Sequence, residues 1–299
     1  MTRLADLAEL VRAPAALSVP GDVVAGAAAA DALDRRTPAL AGASVLLYWA
    51  GMAANDWADR RLDAVERPER PIPSGRVRPA VALGVAAGLT AAGLTVATAA
   101  GGRRAAAVAF PLAATIWGYD LRAKDTAAGP AVMAACRGLD VLLGATGGRT
   151  ARALPAALTV AAHTWTVTAL SRREVTGMAD RRLPGLTLAG TALIALAAPG
   201  RPTVLSGGPS STGGVKRGPC LRVPAVLAAG YAVRYGRAQA RVLADPAPAR
   251  VRAAVGAGIT GLPALQGALT ARAGARLLGL AVAGAAPLGR RLARLVSPT

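Results

Sequence analysis

Seven apolar runs, at residues 15–30, 38–54, 79–100, 104–119, 129–147, 154–170 and 183–198, fill the first two thirds of the chain and leave arginine-rich gaps between them. Roughly 20 apolar residues carry a helix across a bilayer core, and most of these runs approach that length. A soluble helical bundle would need charged stripes recurring every 3.6 residues, which the runs mostly lack. Alanine and glycine dominate them, so they are weakly hydrophobic but suited to close helix–helix approach within a membrane. Three further runs, near 223–233, 251–269 and 277–295, follow a Gly/Ser/Pro stretch at 200–218 that reads as a flexible connection. The first of these is short and runs into Arg234, Arg237 and Arg241, which leaves a span there open. The expectation is an all-α, polytopic membrane bundle of nine or ten transmembrane helices around a central cavity, with residues 1–299 as one domain.

Hydrophobic residues make up 53% of the 299 and charged residues 17%, with mean hydropathy +0.40, too apolar for an ordinary soluble domain. The net charge is +19, and only Lys124 and Lys216 of the 35 cationic side chains are lysines. A basic balance also marks nucleic-acid binding. Here the cations sit in gaps between apolar runs and not along one amphipathic face, so no nucleic-acid partner is expected. The N-terminal LADLAEL segment is too polar for a signal-peptide core, and no cleaved leader is expected. Alternate gaps carry twelve cations (Arg60, Arg61, Arg67, Arg70, Arg76, Arg78, Arg122, Lys124, Arg172, Arg173, Arg181 and Arg182) against six in the gaps between them. That bias places the richer gaps, facing one another across one mouth, on the cytoplasmic side of the membrane. Cys136 and Cys220 form no metal spacing.

Residues 55–75, NDWADRRLDAVERPERPIPSG, carry the chemistry. Asp56, Asp59 and Asp63 stand at i, i+3 and i+7, so on a helix they line one face with Asn55 at its rim. Such a face repels itself without a cation. Hard oxygen donors suit Mg²⁺, which shares its sphere with water and substrate phosphates. Arg60, Arg61, Arg67 and Arg70 crowd the same stretch, and the combination reads as a magnesium and diphosphate site at the membrane edge.

The NDxxDxxxD pattern followed by RPxPSG at 70–75, after the second apolar run, resembles the UbiA superfamily of intramembrane prenyltransferases over roughly residues 10–200. Tyr119-Asp120-Leu121-Arg122-Ala123-Lys124 is similar to that family's YSxxLK-like loop, with Asp where the family has Ser. Residues 129–145 and 171–177 resemble its EboC-like bacterial branch. The resemblance implies an isoprenyl diphosphate with its headgroup at the mouth, an aromatic or other small lipophilic acceptor, and the lipid bilayer of a bacterial inner membrane as surroundings. It implies Mg²⁺ on Asp56, Asp59 and Asp63, joined by Glu174 and Asp180, with Lys124 and Tyr119 in catalysis. Asn55, Arg67, Arg70, Arg122, Arg172 and Arg173 would hold the substrate, and Tyr119, Trp57 and Trp117 would shield an allylic cation. The sequence departs from the family at Ser171-Arg172-Arg173-Glu174, where a DxxD-type second motif is expected: Glu174 can replace one carboxylate, but Ser171 cannot ligate as Asp does.

Two other classes compete with a prenyltransferase: a UbiA-fold isoprenoid-binding or export-associated protein without turnover, and a soluble helical isoprenoid synthase. CDP-alcohol transferases are set aside because their DG and AR elements are missing around 56–63. Outside the motifs, His163 reads as a neutral side chain hydrogen-bonded between helices. Asp22 and Asp140 lie inside apolar runs, and Arg137, three residues from Asp140, reads as its helix-compatible partner in a buried ion pair lining the cavity. Tyr48, Trp49 and Phe110 read as packing or interface aromatics.

Overall fold

A computed structural model describes residues 3–13, 18–178, 180–200 and 222–285. Residues 201–218 of the Gly/Ser/Pro stretch, and Cys220, lie outside the described residues. The described chain is helical throughout: α1 (Leu4–Leu10), α2 (Pro20–Ala29), α3 (Thr37–Glu66), α4 (Pro79–Gly118), α5 (Gly129–Gly144), α6 (Leu154–Ser171), α7 (Arg182–Ala197), α8 (Arg222–Tyr231), α9 (Arg237–Ala244), α10 (Pro248–Arg272) and α11 (Arg276–Ala285). Prolines explain where many of these begin. Pro20, Pro38, Pro79, Pro130, Pro155 and Pro248 each occupy the first turn of a helix, where a missing N–H costs no hydrogen bond and the fixed φ favours helix entry.

The runs at 79–100 and 104–119 belong to one unbroken assignment, α4, yet Gly102 inside it takes φ 63 and ψ −153. That conformation lies outside the range open to L side chains and reverses the chain. Trp117 Nε1 donates to Thr90 Oγ1 at 3.0 Å, so the two halves lie side by side, antiparallel, as the sequence divides them. The run beginning at 223 extends further than its apolar stretch: α8 passes through a π-helical turn, Ala232–Gly236, into α9, and continues to Ala244. Among the described residues, three helical stretches, Thr37–Glu66, Pro79–Ala123 with both halves of α4 taken together, and Thr150–Ser171, are long and apolar enough by themselves to cross a membrane.

Small residues bring the helices together. A Cβ at Gly26 would overlap the Val141 carbonyl, and one at Gly144 would overlap the Val23 carbonyl, so α2 and α5 cross backbone to backbone. Gly267 and Gly279 do the same for α10 and α11. The crossings enclose a buried polar network. Arg137 Nε lies 2.7 Å from Asp22 Oδ2, while Gln266 Nε2 donates to Asp22 Oδ1 at 2.7 Å. Asp140 instead accepts from Ser44 Oγ. The expected local pair of Arg137 with Asp140 is thus replaced by a pair across helices, because the α2–α5 crossing puts Asp22 nearer the guanidinium. His163 is as expected: its Nδ1 lies 2.9 Å from the Tyr231 hydroxyl, joining α6 to α8.

The loops sort by end. At one end Asp31 holds Arg149 at 2.9 Å and Arg152 at 2.5 Å, and Gly101 lies beside Thr146 and Leu40. Hydrogen bonding from Arg149 holds the Asp31 carboxyl below its ordinary value. The N-terminal segment and the loops after α3, α4, α6 and α9 share the other end. There Arg76 reaches Glu9 at 2.6 Å and Asp6 at 3.0 Å, tying α1 to the loop that follows α3.

Candidate active site

The end of α3 supplies the carboxylates. Its last three turns keep Asp56 and Asp63 buried and Asp59 half-buried, and Asn55 and Arg12, which neighbour them, stand in the wall of a cavity of about 260 Å³ with Tyr48, Gly51, Met52, Ile116, Tyr119, Asp120, Met133 and Cys136. The turn at 70–75 then folds back: Ser74 Oγ donates to the Arg70 carbonyl at 2.6 Å, and Gly75 takes φ 75, a value suited to glycine. This places Arg70 Nη1 2.6 Å from Asp63 Oδ2 and 3.4 Å from Asp56 Oδ1, one guanidinium bridging two carboxylates. Arg67 stands 3.6 Å from Asp63 Oδ1. From the second loop, Lys124 Nζ donates to Asp59 Oδ1 at 2.5 Å and to Asn55 Oδ1 at 3.1 Å.

Arg12 was not among the residues singled out by sequence, yet its Nη2 donates to Asp56 Oδ1 at 2.7 Å. No spacing argument reaches across 44 residues; the only signal was a charge in the segment before the first apolar run. Asp120, noted in sequence only as a departure from the resembling motif, forms part of the cavity wall. Tyr119 lines the cavity. Trp57 and Trp117 do not: Trp57 packs beneath Arg60, 4.7 Å from ring centroid to guanidinium, and Trp117 is turned toward Thr90. Both belong to the cluster formed with Ala53, Ala82 and Ala86.

The loop after α6 closes on the loop after α4, with Arg172 Nη1 donating to the Thr126 carbonyl. The three cationic loops therefore meet around one mouth. The carboxylates of that third loop do not join the aspartates of α3. Asp180 Oδ1 accepts the backbone N–H of Arg182 at 3.1 Å and starts α7. Glu174 lies on the side of α10, where Arg252 donates to its backbone carbonyl at 2.9 Å, and partial burial raises its carboxyl above the ordinary value. Arg173 lines a separate shallow groove with Asp180 and Arg182, and Arg122 is exposed. The five-carboxylate set, Asp56, Asp59, Asp63, Glu174 and Asp180, is consequently not assembled, and among the described residues no three His, Cys, Asp or Glu side chains converge as a metal cage.

The donor set of α3 nevertheless fits Mg²⁺. Asp63 Oδ1 is buried without a hydrogen-bond partner, and the second oxygens of Asp56 and Asp59 are uncommitted to any other side chain. Mg²⁺ characteristically takes one or two carboxylates and fills the rest of its sphere with water and substrate phosphates, so a three-carboxylate cage is unnecessary.

A multi-pass membrane bundle with an aspartate-lined mouth is the class that this fold and site define. The description "UbiA prenyltransferase family" matches residues 18–186, more than half of the chain, and the chain belongs to that family. It is 48% identical over 69 residues to the digeranylgeranylglyceryl phosphate synthase of Methanothrix thermoacetophila, covering 23% of this chain and 25% of the relative. Against the enzyme of the same name from Methanopyrus kandleri it is 37% identical over 108 residues, 36% of this chain and 38% of the relative. The matches thus span about a quarter to two fifths of the curated relatives' length. A solved membrane structure of a digeranylgeranylglyceryl phosphate synthase superposes with a TM-score of 0.66 at 16% identity, over 91% of this chain and 99% of that one, which establishes a shared fold.

Proposed function

We propose that the chain transfers a prenyl group from an isoprenyl diphosphate to a lipophilic acceptor within the membrane, and that the acceptor is the hydroxyl of a glyceryl phosphate lipid. The observation that carries this reading is the mouth itself: three aspartates held by Arg12, Arg70 and Lys124 at 2.5–2.7 Å above an apolar-walled cavity. Family membership supports the reaction, and the relatives' name supports the acceptor class. The whole chain acts as one unit in this reading, with its motif loops on the cytoplasmic face. The EboC-like stretches at 129–145 and 171–177 belong to the same helices and loops.

The chain's own groups divide the work. Asp56, Asp59 and Asp63 would hold Mg²⁺, which supplies Lewis-acid charge to the diphosphate. Arg70 and Lys124, already bound to those carboxylates, swing to phosphate oxygens and stabilise negative charge where it develops as the allylic C–O bond breaks. Ile116, Met52 and Met133 accept the prenyl chain, each buried methylene gaining about 0.8 kcal/mol. The faces of Tyr119 and Tyr48 shield the cation while the apolar side chains of the wall limit water.

Purified protein supplied with labelled geranylgeranyl diphosphate, Mg²⁺ and geranylgeranylglyceryl phosphate tests this. Asp56→Ala and Asp59→Ala should each lower diphosphate release by about 10²-fold or more, and Glu174→Ala by less than about threefold. Equal losses at all three would show that Glu174 shares the site. The absence of Glu174 and Asp180 from the aspartate mouth favours a second reading, a binding protein without turnover; tight diphosphate binding with no release from the wild type would establish it in place of the first.

A further inference from the structure

Asp120 is the second residue of the π-helical turn Tyr119–Ala123, is 8% exposed, and lines the cavity. The charges that act on it are Lys124, Arg12, Asp59 and Asp56. Both cations are committed elsewhere: Lys124 to Asp59 and Asn55, Arg12 to Asp56. Among the described residues no hydrogen bond or ion pair engages the Asp120 carboxylate. Its oxygens are not sealed in the interior but face the cavity, free to meet what enters it.

Its position is built into both neighbouring helices. The π turn, closed by Lys124 N–H on the Tyr119 carbonyl at 3.0 Å, widens the end of α4, a local geometry that recurs at functional sites. Across from it, α3 carries Gly51, where a Cβ would stand 2.9 Å from Asp120 Oδ2 and 2.5 Å from Ile116 Cγ2. The glycine leaves room for the carboxylate against α3. The three aspartates of the mouth are each bound by a cation, whereas Asp120 shares its wall with Tyr48, Met52, Met133 and Cys136 and with Arg12, whose Nη2 is turned to Asp56.

We propose that Asp120 is the general base of the transfer, a reading that rests on prenylation of an O–H acceptor as set out above. The acceptor O–H bond breaks and its proton passes to an Asp120 carboxylate oxygen. The freed electron pair forms the new O–C bond at the prenyl C1, and the C1–O bond to diphosphate breaks with its pair leaving on the diphosphate. A base must be unpaired and must reach the space that the acceptor enters, and among the described residues Asp120 is the carboxylate that lines the cavity without a partner.

The full-length protein with labelled geranylgeranyl diphosphate, Mg²⁺ and geranylgeranylglyceryl phosphate separates this role from others, because diphosphate release, prenylated lipid and prenyl alcohol can be counted in one assay. In Asp120→Asn, prenylated lipid should fall by about 10²-fold or more while diphosphate release falls less than about tenfold, the prenyl group being diverted to water as the alcohol. Asp120→Glu should recover part of the transfer. Release and transfer falling in parallel would overturn the proposal, since the carboxylate would then act on the leaving group or on the fold. Transfer kept within about twofold would overturn it as well. Absence of any turnover in the wild type would instead bring down the prenyl-transfer reading, and this proposal with it.

Discussion

Arg70 does two jobs with one nitrogen. Its Nη1 faces Asp63, which is 1% exposed, and Asp56, which is 4% exposed, so removing it leaves two buried carboxylates short of a partner. Breaking a buried ion pair from one side costs about 3 kcal/mol, far more than a surface pair. Arg70→Ala should therefore lower the thermal midpoint clearly, and Asp63→Asn added to it should restore most of the loss; a double variant no more stable than Arg70→Ala would refute the bridging role. What was legible in sequence at this scale followed local spacing. Asp56, Asp59 and Asp63 read as one helix face because helical periodicity is short-range, and Arg70 read with them because its turn follows directly. Arg12 and the Asp22 partner of Arg137 were illegible, since both contacts join segments far apart in the chain and depend on how helices cross. Asp120 was visible only as an unexplained replacement until Gly51 and the cavity gave it a place.

The elements were legible where chemistry punctuates the chain. The gap between the runs at 79–100 and 104–119 fell on the reversal inside α4, whereas the passage of α8 into α9 was hidden by Arg234 and Arg237, which read as a break but sit within and just after a π turn. Crossing geometry depends on glycines that composition alone cannot rank. Gly26 and Gly144 face carbonyls of the opposite helix, while nothing lies within 4 Å of a Cβ at Gly42. Gly26→Ala should push α2 away from α5, strain the Asp22–Arg137 pair, and lower the thermal midpoint of the purified protein by several degrees. Gly42→Ala, on an open face of α3, should be neutral or slightly stabilising because alanine favours helix. Equal melting of both variants would mean that the crossing is looser than its geometry.

For the whole molecule, parity of the apolar runs was enough to put three cationic loops together, and the structure joins them through Lys124–Asp59 and Arg172–Thr126. The C-terminal third was less legible because its contribution is contact and not motif: Gln266 of α10 reaches Asp22 of α2 across the sequence. Gathering the cationic loops at one end has a consequence for orientation. Lys and Arg in short loops resist translocation, so the end carrying Arg67, Lys124 and Arg172 should stay in the cytoplasm while Arg35, Arg103 and Arg149 face outward. Single cysteines placed at Arg67 and at Arg35, in a variant without native cysteines, can be probed with a membrane-impermeant thiol reagent on intact cells and on inverted vesicles. Arg67→Cys should react only in inverted vesicles and Arg35→Cys only in intact cells. The reverse pattern would place the diphosphate mouth outside, away from cytoplasmic isoprenyl diphosphates, and would require substrate to arrive from the membrane's other face.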